Sequence, residues 1–485
     1  MPAIYRAIHS ERGQNMFQNA LEWIVGHGND LLWSYVLIYV LLGLGVWFTI
    51  RTKFVQFRLF GEMFRLITEK KDEKDGISPF QAFTISAASR VGTGNVTGVA
   101  LAIGIGGPGA VFWMWVVAVV GMATAFIEST LAQVYKVQDG DTFRGGPAYY
   151  MEKALGLRGL GIVFAILLTL CFGFIFNAVQ ANTIKESFSS VFSIPDWAVG
   201  LVLIVLAATV IFGGVKRIAS VTQFLVPIMA VLYLAITAFV LVVNIGEIPA
   251  MIKLIFQEAF GLREAAGGAV GVAIMQGVRR GLFSNEAGMG SVPNAAATAS
   301  VSHPAKQGLV QSLGVFFDTI IICSATAFMI ILAGVYNTTE QEGIILTQAS
   351  LSELVGTWAP YFIAVSIFFF AFSSIIGNYY YGESNIEFIR AHPAWLTLYR
   401  FGVLAMVMFG SLAQVQVVWD MADLFMGSMA VINLVVIFLL GKVAFKVLDD
   451  FMNQRKRGLN PDFRASSIPG LKGAECWEDE ARNGK

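Results

Sequence analysis

Charge is what this chain lacks most. Of 485 residues, 33 are Lys or Arg and 33 are Asp or Glu, 14% together, and the formal net charge is zero. A soluble protein of this length needs a charged surface, so the composition excludes that class. Neutrality also removes any general attraction to nucleic acid. The three cysteines (Cys171, Cys323, Cys476) and four histidines (His9, His27, His303, His392) have neither the spacing of a disulfide framework nor that of a metal cluster. With no nucleophile–base set either, an enzyme is not expected, and Ser284 has no suitably spaced histidine. The start of the chain lacks a basic stretch followed by an apolar core, so no cleavable signal is expected there. Short alternating strands are missing too, which argues against an outer-membrane barrel.

Apolar length is what the chain has. Hydrophobic residues make up 56%, in runs such as "LLWSYVLIYVLLGLGVWFTI". About 20 such residues cross a bilayer as one helix. The class is therefore an all-α polytopic membrane protein. Eleven spans are predicted, over 31–50, 80–106, 109–136, 160–188, 197–214, 218–244, 267–300, 307–334, 358–384, 396–412 and 417–447.

Basic residues concentrate in alternate loops. Arg51, Lys53, Arg58, Arg65, Lys70, Lys71 and Lys74 follow the first span, and Lys136, Arg144, Lys153 and Arg158 follow the third. The loop "GGPG" after the second span has none, and segment 335–357 has three glutamates and no basic residue. The bias predicts an N-terminus outside and a C-terminus in the cytoplasm. Segment 245–266 is too interrupted to span, and its apolar periodicity predicts an amphipathic helix on the outer face. The tail from Asp449 reads as a polar, poorly ordered cytoplasmic segment. The expected organisation is an N-terminal part with the first span and its basic loop (1–77), a first five-helix repeat (78–244), the amphipathic helix with a second five-helix repeat (245–448), and the tail (449–485).

The division into five and five rests on two interrupted spans. The second span carries "SRVGTGNVTGVALAIG", with Arg90, Gly92, Gly94, Asn95 and Gly98. The seventh carries "MQGVRRGLFSNEAGMGS", with Gly277, Arg279, Arg280, Gly281, Asn285, Glu286, Gly288 and Gly290. Interrupted helices at matching positions of two halves point to an inverted-repeat transporter with a midplane site. Irregular backbone is tolerated at that depth only where it lines a cavity or is packed in protein. A parted helix exposes amide N–H groups at one half-helix end and carbonyls at the other, which suit a carboxylate and a cation. The competing reading is close helix packing, since "GNVTG" also has small-xxx-small spacing. The backbone is expected to part near Val91 and near Gly281.

The stretches "VGTGNVTGVALAI", "GGPGAVFWMWV", "FRGGPAYYM", "GVKRIASVTQFLVPIMA", "LFSNEAGMGSVPNAAA" and "FAFSSIIGNYYYGE" resemble the alanine or glycine:cation symporters (sodium:alanine symporters) of bacteria and archaea. That resemblance implies the leucine-transporter fold, with one extra helix in front of ten. It further implies sodium-coupled uptake of small neutral amino acids, chiefly alanine and glycine, across the cell membrane (a bacterial inner membrane), with sodium as the coupling ion and no cofactor. By the same resemblance, the amides of Thr93 and Gly94 would face the substrate carboxylate, with Asn95 close by. The carbonyls of Ala88 and Val91 and the hydroxyls of Ser373 and Ser374 would hold sodium. Met275, Gln276 and Gly277, placed just before the second break, would form the opposite wall, and Phe283 would close the pocket. Two alternatives stay open. Serines in membrane helices often bond back to their own helix. Of Asn177 and Gln180, Gln180 is the candidate for the ligand, and an interhelical hydrogen bond competes for it.

Arg90, Glu128, Arg279, Arg280, Glu286, Asp318 and Glu383 all fall within predicted spans. At the bilayer centre each costs about 2.5–3.5 kcal/mol by insertion scales unless paired or wet. Glu128 and Glu286 are expected to brace the breaks by accepting amide and guanidinium hydrogen bonds. The alternatives are an arginine on the substrate carboxylate, or Asp318 on a coupling ion. Proton coupling through Glu128, Glu286 or Asp318, and a channel or non-transporting sensor, are the competing functions.

Overall fold

The computed structural model describes residue 23 and residues 25–71, 75–262, 269–338 and 341–478. The expectation about the start of the chain therefore lies outside the described residues. The described elements are helices, apart from one hairpin. α1 (Val25–Arg51) leads into the short amphipathic α2 (Phe60–Ile67). α3 (Pro79–Arg90) opens on a capping box: Gln81 N donates to Ser78 Oγ, and Ser78 N donates to the Gln81 side chain. α4 (Gly94–Gly106) and α5 (Gly109–Val134) follow. Next come β1 (Val137–Asp139) and β2 (Thr142–Arg144), joined through Gly140 at positive φ. α6 (Pro147–Leu155), α7 (Arg158–Phe192), α8 (Asp196–Ile211) and α9 (Gly214–Val243) complete the first half.

In the second half, α10 (Ile248–Ala259) precedes α11 (Ala269–Asn285) and α12 (Val292–Ala297). α13 (Pro304–Ala333), α14 (Gly343–Val355), α15 (Ala359–Ile389), α16 (Pro393–Leu412) and α17 (Val415–Lys456) close the chain. Among the described residues, eight helices are long and apolar enough to cross a membrane unaided. The other three predicted spans fall on α8 and on two broken pairs, α3/α4 and α11/α12.

Depth in the bundle follows side-chain character. In α5 and α13, 67% of the most apolar window is buried, against 33% in α9. The outer face of α9 leaves Phe224, Ile228, Val231, Leu232 and Phe239 exposed. Such a surface suits lipid, not water. The basic loops meet on one face, where Gly76 N donates to Asp141 O, Lys216 pairs with Asp141, and Ile77 bridges to Ala299. α10 and α14 lie on the other face: Trp113 Nε1 bonds Ala259 O, and Gln348 Nε2 bonds Ser187 Oγ.

The structure revises three expectations. The amphipathic helix is shorter than 245–266, residues 263–266 lie outside the described set, and its apolar side (Met251, Ile255, Ala259) is buried. Segment 335–357 is no plain loop. It contains α14, whose Thr347 hydroxyl reaches the carbonyl of Val96 at 3.4 Å. The tail from Asp449 is not loose either. α17 runs on to Lys456, and the following chain docks through buried Phe463 and Trp477. Phe463 N donates to Ser302 O at 2.8 Å and Trp477 Nε1 to Gln133 O at 2.7 Å. The apolar anchors in an otherwise polar tail explain its order.

Candidate functional site

The first break begins where α3 runs out of helical geometry at Val91 (φ −79°, ψ 84°). The next amides do not continue the helical ladder. Gly92 N donates to Asn95 Oδ1 at 2.9 Å, and Thr93 N donates to Gln180 Oε1 of α7 at 3.1 Å. The carbonyl of Ala88, whose helical partner would be the Gly92 amide, instead accepts from Ser374 Oγ of α15 at 2.8 Å. Glycine is required here. A Cβ on Gly92 would lie 2.2 Å from Ser374 Oγ and 2.9 Å from Gln180 Oε1. One on Gly94 would meet Phe283 at 2.9 Å. Carbonyls at the end of α3 and amides at the start of α4 therefore converge at one buried point.

Polar and aromatic walls surround that point. Asn95 Nδ2 lies 2.7 Å from Asp318 Oδ1 and 3.1 Å from Ser284 Oγ, and Asp318 Oδ2 accepts from Ser284 Oγ at 2.5 Å and Thr319 Oγ1 at 2.9 Å. Asn95 and Asp318 both sit on π-helical turns, Gly94–Gly98 and Phe316–Cys323, a geometry frequent at functional sites. Phe283 lies between Phe176 and Trp419, with ring centroids 4.7 and 4.8 Å away. Thr93 Oγ1, Asn177 Oδ1 and Trp419 Nε1 are buried with no hydrogen-bond partner among the described residues. Buried polar atoms are rarely left so unless something else satisfies them.

The second break is built differently. α11 continues through Gly281 to Asn285, so the backbone does not part at the expected place. It parts at Glu286, Gly288 and Gly290, all at positive φ (58°, 87° and 83°). The amides of Gly288 and Gly290 donate to Glu128 Oε1 and Oε2 at 3.1 and 3.2 Å, and Asn433 Nδ2 donates to Glu128 Oε2 at 2.9 Å. Glu286 ties the two breaks together. Its carboxylate accepts from Ser89 Oγ, at the end of α3, at 2.8 Å and from Ser291 Oγ at 2.5 Å. Glu128 and Glu286 do bond to the breaks, through amides, hydroxyls and a carboxamide; the expected guanidinium partners are not theirs.

The arginines go elsewhere. Arg280 makes a two-pronged pair with Asp423 of α17 (3.2 and 3.0 Å), and Arg279 Nη1 lies 3.3 Å from the same carboxylate. Arg280 also stacks over Trp419 and Arg279 over Trp33. Arg90 is buried and donates to Gln311 O at 3.3 Å. Its guanidinium occupies the space that a Cβ on Gly314 would fill. Because α11 is continuous past both arginines, Met275, Gln276 and Gly277 lie turns before the break. Gly277 is pressed against Ala110 O (2.4 Å for an added Cβ), and Met275 faces a groove beside α1. Of the three, Gln276 is buried with an unmatched oxygen. Ser373 is turned from Ala88, its hydroxyl donating to Phe370 O at 2.8 Å. Asn177 bonds back to Gly173 O.

Asp423 and Trp419 are the residues that sequence reading missed. Asp423 lies within the last predicted span, so the same search for intramembrane charge that found the other acids covers it. Asn433 and Ser284 carried no such signal.

The sequence profile described as "Sodium:alanine symporter family" matches residues 18–465. The chain is 61% identical to the "Amino-acid carrier protein AlsT" of Bacillus subtilis (strain 168), covering 93% of this chain and 97% of that protein. It is 54% identical to the "Probable sodium/glutamine symporter GlnT" of the same strain, over 95% and 97%. It is 37% identical to the "Sodium/alanine symporter AgcS" of Methanococcus maripaludis, over 89% and 98%. The family is one of transporters and not of enzymes, and its members are multi-pass membrane proteins. With two parted helices meeting at a buried site and a family match along almost its whole length, the chain belongs to the sodium:alanine symporter family.

Proposed function

We propose that this protein carries alanine and glycine into the cell together with sodium, by alternating access, with its C-terminus in the cytoplasm. One observation supports the substrate's placement above the others. Of the two amide-bearing breaks, the second is already occupied by the protein's own carboxylate, Glu128, while Thr93 N in the first meets only the neutral oxygen of Gln180. A substrate carboxylate is the stronger acceptor for that amide. Gln180 then yields the Thr93 amide and turns to the ligand. Phe283, Phe176 and Trp419 limit the side chain the pocket admits, which favours small residues. Asn95 completes the polar lining.

Sodium lies at the carbonyl end of α3, held by the carbonyls of Ala88 and Val91 and by Ser374. Ser373 joins after a rotation about its side chain. All four ligands are oxygens, which suits a hard cation. Sodium in this position fixes the shape of the break and so couples ion to substrate. It moves the equilibrium only by its differential affinity for the outward and inward states.

In proteoliposomes, alanine uptake is expected to rise at least tenfold with an inward sodium gradient over choline, and unlabelled glycine should compete. Equal uptake in sodium and choline would refute sodium coupling. Uptake driven by a pH gradient alone would move the coupling to a proton, with Asp318 as the carboxylate nearest Asn95. Counterflow of labelled alanine separates a carrier from a channel. Ser374→Ala is expected to raise the sodium concentration for half-maximal uptake about tenfold, a loss of about 1.4 kcal/mol for one oxygen ligand, and Ser373→Ala less. The reverse order would exchange their roles.

A further inference from the structure

On the basic face, the end of α1 and the last turns of α17 enclose a recess of about 410 Å³. Arg51, Lys53, Arg58 and Lys456 line it, with Asp449 as its one acid and Asn453 as a neutral donor. Four cations against one carboxylate leave an excess of three positive charges in one small space. Among the described residues, no ion pair takes up these cations. Arg58 donates to the Thr52 carbonyl at 3.2 Å, and Arg51 lies over the rings of Trp47 and Phe445. Such contacts orient a guanidinium without neutralising it.

The backbone at the lip of the recess is costly. Lys53 and Phe54 are consecutive non-glycine residues at φ 55° and 59°. The left-handed region costs about 1–2 kcal/mol per residue where glycine would pass freely. The turn closes α1 through Phe54 N to Thr49 O at 2.7 Å and sets Lys53 against the recess. Beside it, Phe54 and Phe57 are 52% and 60% exposed, and exposed aromatic rings favour a bilayer interface. A pocket that is cationic inside and aromatic at the rim has one end for a phosphate and one for acyl chains.

We infer that this recess binds the phosphodiester headgroup of an anionic phospholipid, with Lys53 and Lys456 as its principal contacts. The site is separate from the amino-acid pocket and does not depend on which substrate is carried. Basic loops also set membrane orientation. Orientation alone needs neither an enclosed recess nor strained residues, and it predicts no lipid preference.

The test uses the full chain purified in detergent. Native mass spectrometry is run after titration with phosphatidylglycerol or with phosphatidylcholine, and thermal stability is followed with each lipid and with inorganic phosphate. The expected result is one retained phosphatidylglycerol, no retained phosphatidylcholine, and stabilisation by phosphatidylglycerol alone. K53Q combined with K456Q should weaken phosphatidylglycerol binding about 30-fold, from roughly fivefold per interfacial cation. R217Q combined with R390Q, which removes the same charge away from the recess, should bind as the wild type does. Equal retention of both lipids, or unchanged binding by the double lysine variant, overturns the proposal. Stabilisation by millimolar inorganic phosphate, matching that by the lipid, overturns it in favour of a free phosphate-bearing ligand. The lipid and phosphate comparisons on the wild type decide the matter even where a variant fails to fold.

Discussion

Asp423→Ala should destabilise the protein by about 3–5 kcal/mol, the range found when one partner of a buried ion pair is removed, and should bring alanine uptake to background. The side chains of Arg280 and Asp423 are 6% and 1% exposed, so water cannot replace the lost charge. Asp423 serves two guanidinium groups at once, at 3.0 and 3.3 Å, and its own carbonyl accepts from Trp33 Nε1 at 3.3 Å. Its loss therefore strands the buried Arg280 and the partly buried Arg279 and loosens α11 from α17, one turn from Phe283. Arg279→Gln should be much milder, because the two-pronged Arg280 contact survives. Replacing Arg279, Arg280 and Asp423 together by Met, Met and Leu should recover stability, since a buried pair is often no better than apolar packing. Thermal unfolding in detergent ranks the four proteins. An Asp423→Ala variant as stable as the wild type would show that these arginines are solvated.

Glu128→Gln is the second large effect, and it acts on the backbone. The carboxylate accepts three hydrogen bonds, from the amides of Gly288 and Gly290 and from Asn433. A carboxamide has one acceptor atom, and its NH2 group would face a backbone N–H. Hydrogen bonds to a charged group are worth about 1.5–3 kcal/mol each, so the loss approaches 3 kcal/mol. Uptake should fall roughly 100-fold by the usual conversion of free energy to ratio. The substrate amides of the first break are untouched in this variant. Wild-type uptake by purified, correctly folded Glu128→Gln would remove Glu128 from the architecture of the break.

Much of this was legible in the chain. Gly92, Gly94 and Asn95 interrupt an apolar run too long to be a loop, and glycine beside asparagine in hydrocarbon announces a parted helix. The second interruption was legible in kind but misplaced. Arg279 and Arg280 read as breaking residues, yet a helix carries them without parting once Asp423 pairs with both. The residues that do part it are Glu286, Gly288 and Gly290, a few positions on. That displacement removed Met275 and Gly277 from the pocket wall. α14 was missed because segment 335–357 was read for charge alone. The order in the tail was missed because two aromatic anchors, Phe463 and Trp477, are too few to register against a polar background.

By itself the sequence determined the membrane class, the pairing of two interrupted spans and the family. These follow from apolar length, from glycine in the wrong solvent and from motifs contiguous in the chain. Only the tertiary structure decided which acid meets which donor. Asp423 meets Arg280 across 143 positions and Glu128 meets Gly288 across 160. A buried charge must find a partner, but which one depends on how the helices lie side by side, and no local pattern carries that.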